Sequence, residues 1–492
     1  MNKIKICFIA FVLGILLIPW FNLKQAPLVG VEANVARPEF SWKTFSNGTF
    51  QKQMEKWWTR EFGSRNTMLV AKNTIYDYLN AGKFHSGYFG SILQGKDNVL
   101  YLKEYITSKY SHYNDDNIKN IAASTTSVLA ELQACLAHMG KEFLFVMAPS
   151  KADIRPDTIP PLWEFRAEHE KMPPSLYPIW EHELQARNIP YVNGCRVLDK
   201  DEYRMEAFPD TGIHWSMYGA GLVLAQGIEA LQKHGADVPS IALTGKKQTS
   251  NAYASERDIA DLLNIWPSYK KGRQEWTLAE YGVIPSSESI PAISVGDSFS
   301  RQLFFNVIQS GFSTADTSQN FENHLPSKEE WFELLEKSNL LILTYTYPQL
   351  HFLRIHDEAS KLLSYTKDIV LKNWHPYESW GDAQWSKSKS ELEFFNWMNS
   401  DYIFSFDLKW NYHSKRLIIS VNDHVLNDID LYSIQYPSKI SVKIPNDILN
   451  DGINKIVFTV DGASNPAVNE EVYGNNRTLG VYCSGFSIKN SQ

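Results

Sequence analysis

The spacing of hydrophobic residues divides the chain into an apolar start, a middle of helices and strands, and a strand-rich end. Residues 6 to 23 carry no charge and follow Lys3 and Lys5, a pattern typical of a membrane helix with a cytosolic N-terminus. We predict a transmembrane signal anchor over residues 1–24 and a linker over residues 25–45. A cleaved signal peptide is the alternative, although no small residues follow the apolar run. The predicted location is the cell membrane, single-pass, with the remaining chain periplasmic or extracellular.

The middle of the chain, residues 46–385, alternates helical periodicity with short apolar runs. Apolar residues recur every three or four positions from Thr49 to Leu79 and predict an amphipathic helix. Continuous apolar runs predict buried strands at 98–102, 143–148, 189–192, 290–295 and 340–344. The predicted fold class is therefore α/β, a parallel sheet flanked by helices, with polar residues converging at the carboxyl edge of the sheet.

The end of the chain, residues 390–492, changes to alternating apolar and polar positions with frequent turn residues. Runs such as 416–421, 440–444 and 454–460 each end in Asn, Asp, Gly or Pro. This pattern predicts a C-terminal antiparallel β-sandwich of the jelly-roll type.

Charge and cysteine content exclude some functions. The net charge is −7 with a pI of about 6.0, and no long basic run is present, so we expect no nucleic-acid partner. The four cysteines are scattered and form no metal-binding spacing with histidine. We therefore expect no metal and no cofactor. If any cysteines pair in an exported chain, Cys135 and Cys195 are the candidates.

A serine follows the fourth predicted strand. The strand ends in Gly296-Asp297-Ser298 and leads into a helical pattern, which puts a hydroxyl at the sheet edge beside backbone N–H groups able to hold an oxyanion. A helix cap formed by Asp297 or Ser298 is the alternative. The site predicts Ser298 as a nucleophile.

A histidine block lies upstream of the serine. His214 precedes Trp215 and follows Asp210 by four residues. A neutral imidazole accepts the proton of a serine hydroxyl, and a carboxylate holds the ring in the required tautomer. We predict His214 as the base and Asp210 as its acid. Packing of the histidine under Trp215 is the alternative interpretation.

The two blocks together resemble the alginate O-acetyltransferases and the wider DHHW family of SGNH-hydrolase-like bacterial exopolysaccharide acetylation proteins. In that family the histidine block also precedes the serine block. The matching residues are Gly296 to Ser300, His214-Trp215-Ser216 with Tyr218-Gly219-Ala220, Met147 to Lys151 with Ile154 and Pro156, and Trp57, Glu61, Phe62 and Arg65. The resemblance covers about residues 45 to 370.

The resemblance implies an O-acetyltransferase that acts on a cell-surface or secreted polysaccharide through a serine acyl-enzyme. The family's triad acid sits two residues before the histidine, where this chain has Gly212. Three alternatives follow: Asp210 reaches the histidine, another acid such as Asp297 replaces it, or the site is a dyad. A polysaccharide acetyl esterase and a non-catalytic polysaccharide-binding scaffold of an export system are the competing functions.

Substrate contacts are expected from residues near these blocks and at the strand ends. The candidates are Lys151, Trp215, Asp297 and Tyr345. In the C-terminal sandwich, which resembles a carbohydrate-binding module, Trp410, Tyr412, Tyr432 and Tyr436 are candidates for stacking on sugars. The resemblance also implies an acetyl donor supplied by a membrane O-acyltransferase, besides the membrane contact of the N-terminal helix.

Overall fold

The computed structural model describes most of the chain. The described residues are 2–17, 28, 37–61, 65–79, 92–111, 115–160, 163, 175–250, 256–266, 276–282, 284–376, 383–464 and 477–491. Residues 18–24 of the predicted anchor, most of the predicted linker and Phe62 lie outside them. Across the described ranges, we find no helix that combines the length and the apolar character needed to cross a membrane.

Helices occur from the start of the chain to residue 366. The predicted helix over 49–79 is described as two helices, α3 and α4. The helices are α1 (Asn2–Leu17), α2 (Trp42–Ser46), α3 (Thr49–Glu61), α4 (Arg65–Leu79), α5 (Lys103–Tyr110), α6 (Asp115–His138), α7 (Lys151–Ile154), α8 (Tyr177–Ala186), α9 (Gly194–Leu198), α10 (Asp201–Ala207), α11 (Met217–Lys233), α12 (Asp258–Leu262), α13 (Ser300–Gln309), α14 (Lys328–Lys337) and α15 (Arg354–Thr366).

A parallel sheet of five strands lies at the centre of the middle region, as predicted. Its strand order is β4-β3-β9-β7-β8, and every neighbouring pair is parallel. The apolar run at 98–102 is not part of this sheet, because β2 pairs with β1 in an antiparallel hairpin. The strands are β1 (Ile92–Gln94), β2 (Leu100–Leu102), β3 (Glu142–Ala148), β4 (Tyr191–Asn193), β5 (Leu243–Thr249), β6 (Trp276–Tyr281), β7 (Ala292–Gly296), β8 (Gln319–Glu322) and β9 (Leu340–Thr346).

The central strands are buried on both faces, which explains their continuous apolar sequences. Alternate residues of β3 point to opposite sides, so Phe143 and Phe145 pack in one hydrophobic cluster while Leu144 and Val146 pack in another. One cluster includes residues of α6, α8 and α15, and the other includes residues of α11 and α13. Helices therefore cover both faces, and only the strand ends remain for polar chemistry.

The C-terminal region is antiparallel, as predicted, but it is one sheet rather than a sandwich of two. β11 pairs along its length with β10 and β16 and at its start, through Gln384 and Trp385, with β17. Its length joins the two halves, and contact between β14 and β15 nearly closes the sheet into a barrel. The strands are β10 (Ile369–Trp374), β11 (Gln384–Phe395), β12 (Tyr402–Asn411), β13 (Arg416–Val421), β14 (His424–Asp430), β15 (Ser438–Ile444), β16 (Ile453–Asp461) and β17 (Val481–Asn490).

The barrel-like sheet is packed against the α/β region. Because β10 belongs to it, the sheet starts at Ile369, earlier than the boundary predicted near residue 390. The rings of Phe332 in α14 and Phe395 in β11 have centroids 4.5 Å apart. One buried hydrophobic cluster contains residues of both regions. The two regions therefore share a core.

Gly296 provides a test of how closely the central strands approach. A Cβ atom at this position would lie 2.0 Å from the carbonyl oxygen of Thr344 in β9. We expect Gly296→Ala to force β7 and β9 apart and to lower the free energy of unfolding by about 1–3 kcal/mol or more. Urea denaturation followed by tryptophan fluorescence measures this change.

Gly452→Ala is the matched control, because a Cβ atom there would meet no atom within 4 Å. Equal unfolding free energies for the two variants would contradict the close strand contact at Gly296.

Candidate active site

The turn after β7 is held by a buried carboxylate. Oδ2 of Asp297 accepts hydrogen bonds from the backbone N–H of Thr346, at 2.7 Å, and from its Oγ1, at 2.8 Å. Oδ1 accepts from the backbone N–H of Phe299 at 3.0 Å. Burial raises the pKa of Asp297, while these hydrogen bonds act in the opposite direction. The carboxylate thus ties the end of β9 to the turn, and the half-buried Ser298 lies between its two anchor points.

His214 is oriented by Asp258. Nδ1 of the imidazole lies 2.6 Å from Oδ2 of Asp258, and the other carboxylate oxygen accepts from the backbone N–H of Ile213 at 2.7 Å. A carboxylate at Nδ1 favours the tautomer with its proton there, which leaves the lone pair on Nε2. Nε2 is buried and has no hydrogen-bond partner among the described residues. The ring therefore has the tautomer and the unoccupied acceptor that a general base requires.

The histidine and serine blocks meet through Phe299. Its ring centroid lies 4.8 Å from that of His214. Nε1 of Trp215 donates a hydrogen bond of 3.2 Å to the carbonyl oxygen of Phe299. Because Phe299 directly follows Ser298, these contacts bring the imidazole beside the serine turn across eighty-four residues of chain.

The backbone amides of the turn differ in their availability. The N–H groups of Asp297 and Ser300 donate to the carbonyl oxygens of Thr344 and Asp297, at 3.1 and 3.0 Å. The N–H of Phe299 is taken by the Asp297 carboxylate. Within the described part of the chain, no backbone carbonyl accepts from the N–H of Ser298. This amide is therefore the one in the turn that is free to donate to an oxyanion.

Asp210 is not the carboxylate that contacts the histidine. Its Oδ1 lies 2.6 Å from Nη1 of Arg155, a guanidinium that is buried and also donates to the carbonyl oxygen of Phe208 at 3.3 Å. A buried guanidinium needs a charged partner, and Asp210 supplies it. The prediction of Asp210 as the acid is thus corrected to Asp258. The absence of an acid at position 212 no longer implies a dyad or an inactive scaffold.

The four predicted substrate contacts are all buried. Lys151, Trp215, Asp297 and Tyr345 expose between 0 and 4% of their surface. Nζ of Lys151 donates to the carbonyl oxygens of Leu100, at 2.9 Å, and Asp210, at 3.4 Å, and the hydroxyl of Tyr345 donates to Glu358. These side chains lie close to the site, as predicted, but they support it from below and have little surface to offer a substrate.

Asp258 was missed because nothing in the sequence around it indicates a catalytic role. It begins the five-residue helix α12, forty-four residues after the histidine. Sequence reasoning searched for an acid close to His214, whereas the partner comes from a separate segment of the chain.

The described residues contain no group of three or more His, Cys, Asp or Glu side chains able to hold a metal ion. All four cysteines are free, so the candidate pair Cys135 and Cys195 forms no disulfide.

Comparison with known proteins identifies the class of the middle region. Residues 92–325 match the family model described as SGNH hydrolase-like domain, acetyltransferase AlgX. The match covers the serine, the histidine and Asp258. The resemblance predicted from the motifs is therefore confirmed for this segment, and the match supports acyltransfer chemistry at the level of the family.

Solved structures with similarity to the chain include three acetylation-related proteins. The O-acetyltransferase domain of Pseudomonas putida AlgJ is 13% identical, with 56% of this chain and 99% of that chain covered and a TM-score of 0.38. Pseudomonas aeruginosa AlgX is 13% identical, with 86% and 100% covered and a TM-score of 0.39. Bacillus cereus PatB1 is 13% identical, with 53% and 96% covered and a TM-score of 0.34. No curated protein matches the chain.

Lys151 beneath the site gives a prediction about pH. Burial, and then the nearby charge of Arg155, lower the pKa of Lys151 to about 7. Between this value and the ordinary lysine pKa of about 10.4, the unfolded chain binds a proton that the folded chain does not, so the lysine makes stability rise with pH in that window. We expect the stability of the native chain to rise relative to that of Lys151→Met between about pH 7 and pH 10.

Urea unfolding at several pH values measures this difference. Lys119→Met, which removes an exposed lysine, is the control for loss of a positive charge. Parallel pH profiles for the native chain and Lys151→Met would contradict the burial of this ammonium group.

Proposed function

We propose that the chain is an O-acetyltransferase that acylates a cell-surface or secreted polysaccharide through an acyl-enzyme on Ser298. The observation that carries the proposal is the His214 imidazole, which is bound to Asp258 through Nδ1, has an unoccupied Nε2, and lies against the residue that follows the serine. The match of residues 92–325 to an acetyltransferase family supports it.

The proposed reaction has two steps. In the first, Oγ of Ser298 attacks the carbonyl carbon of the acetyl donor, Nε2 of His214 takes the hydroxyl proton, and the proton passes to the departing group of the donor. In the second, a sugar hydroxyl attacks the acetyl-serine, His214 takes the proton of that hydroxyl, and Oγ of Ser298 recovers it. Asp258 stabilises the imidazolium in both steps, and the N–H of Ser298 donates to the oxyanion.

The surroundings of the site are assigned by the same proposal. The apolar N-terminal segment anchors the chain in the cell membrane, with the catalytic region outside the cytosol and a membrane O-acyltransferase as the source of acetyl groups. In the barrel-like sheet, Trp410 and Tyr432 are 58% and 70% exposed and offer flat faces to a glycan. Tyr436 is more enclosed, since it donates to the carbonyl oxygen of Leu431, and Tyr412 packs at the ring of Trp385.

Substitution of the catalytic residues tests the proposal. Ser298→Ala removes the nucleophile and Asp258→Asn removes the charge that orients and stabilises the imidazole. We expect each to lower kcat for hydrolysis of p-nitrophenyl acetate by about 10³-fold or more, because the residues of a triad act as a unit. Release of p-nitrophenolate measures the rate.

Asp210→Asn is the matched comparison, since this acid binds Arg155 and not the imidazole. We expect it to keep kcat within about tenfold of the native value. A larger loss from Asp210→Asn than from Asp258→Asn would reverse the assignment of the acid. Native activity in Ser298→Ala would sink the acyl-enzyme.

A further inference from the structure

A cleft opens beside the candidate active site. It lies between α5 and the turn at Pro348 to Phe352 that follows β9, and its volume is about 550 Å³. This is within the range of small-molecule sites, roughly 300–1,000 Å³, and is far larger than an acetyl group requires. The side chains that matter for its chemistry are Lys103, Glu104, Tyr105, Gln349, His351 and Phe352.

Tyr105 is the wall that the cleft shares with the active site. Its ring centroid lies 6.3 Å from that of Phe299, which in turn lies 4.8 Å from that of His214. The pKa of Tyr105 is raised, first by burial and then by the negative charges of Asp297, Glu104 and Asp258. The hydroxyl therefore stays protonated near neutral pH, as a hydrogen-bond donor close to both site carboxylates.

The outer part of the cleft has the surfaces that sugars use. Phe352 is 50% exposed, and the ring of His351 lies against it with a centroid separation of 3.9 Å. An exposed aromatic ring packs against the apolar face of a sugar, while the amide of Gln349 and the carboxylate of Glu104 suit its hydroxyls.

The charge of the cleft argues against a phosphate-bearing acyl donor as its occupant. Lys103 and Glu104 balance each other, and burial lowers the pKa of His351, which leaves this imidazole neutral near pH 7. Phosphate groups are bound in proteins by clusters of arginine, lysine or free backbone amides. The lining suits an uncharged, hydroxyl-rich ligand better.

We propose that this cleft binds the acceptor sugar of the polysaccharide, with the sugar ring on Phe352 and with Tyr105 directing the reacting hydroxyl toward His214. The inference rests on the proposed function and adds to it the place from which the acceptor arrives. Tyr105 is in this account a positioning residue for the second step of the reaction.

Binding to an inactive chain tests the cleft without any acyl chemistry. The probes are cellohexaose, chitohexaose and a hexamannuronate, titrated calorimetrically into full-length Ser298→Ala. We expect at least one to bind, and Phe352→Ala in the same background to weaken it about tenfold, as loss of an aromatic contact does. Trp410→Ala in the same background reports on sugar binding at the barrel-like sheet.

Three outcomes overturn the cleft as the acceptor site. They are no binding by any of the three sugars up to about 10 mM, a range that includes weak sites, affinity unchanged by Phe352→Ala, and binding lost in Trp410→Ala instead. A chain that binds sugar in the cleft but has no Ser298-dependent esterase activity would leave the cleft standing and remove the proposed function.

Tyr105→Phe tests the positioning role in the active chain. With p-nitrophenyl acetate as donor and the best-binding sugar as acceptor, we expect the ratio of transfer to hydrolysis to fall about 3- to 10-fold, the effect of one hydrogen bond, while the sugar still binds. An unchanged ratio would remove Tyr105 from the acceptor step. A parallel loss of transfer and hydrolysis would show a merely structural role.

Discussion

The bond between Asp258 and Nδ1 of His214 is the interaction on which the arrangement of the site depends. A hydrogen bond to a charged group contributes about 1.5–3 kcal/mol, which is modest for a chain of this size. Its importance is geometric, because it sets the tautomer and the direction of the ring. The backbone around it is fixed by further bonds: Ala260 N–H donates to the carbonyl oxygen of Thr211 at 3.0 Å, and Thr211 Oγ1 donates to that of Glu256 at 3.1 Å.

The rest of the site is an edge of the parallel sheet stiffened by buried polar groups. Asp297 joins the turn after β7 to the end of β9, and Trp215 joins the histidine block to the serine block. Lys151 satisfies two backbone carbonyls beneath them. Because these groups are buried, each must be hydrogen-bonded, and this requirement fixes the loops that carry the reactive side chains. The substrate then meets few groups directly, among them Ser298 and the cleft beyond Tyr105.

The fold was largely predictable, because burial on both faces leaves a direct signal in the sequence. The runs that became β3, β7 and β9 are continuously apolar. β8 was missed because its four residues, Gln319 to Glu322, include a single apolar side chain, Phe321. The run at 98–102 looked like a strand of the sheet and is a strand, but pairing partners depend on contacts far along the chain. The separation of the C-terminal strands into two sheets was wrong for the same reason, since β11 pairs with both halves.

The candidate site was predictable only in part. Ser298 and His214 were found because a strand end and a local motif mark them. The acid was assigned to Asp210 by proximity in the sequence, whereas the fold brings Asp258 to the ring and gives Asp210 to Arg155. The buried supports were taken as substrate contacts because position near a motif does not distinguish a side chain facing the solvent from one beneath the surface. Tyr105 carries no motif, and only the packing of α5 reveals it.

The most direct measurement of the central claim is labelling with a serine-reactive fluorophosphonate, mapped by mass spectrometry. A serine hydroxyl reacts readily only when a base in contact with it takes its proton. The account predicts a single label on Ser298 of the native chain and its loss in His214→Ala. A label on another serine, or equal labelling of Ser298 in both chains, would contradict the meeting of the hydroxyl and the imidazole.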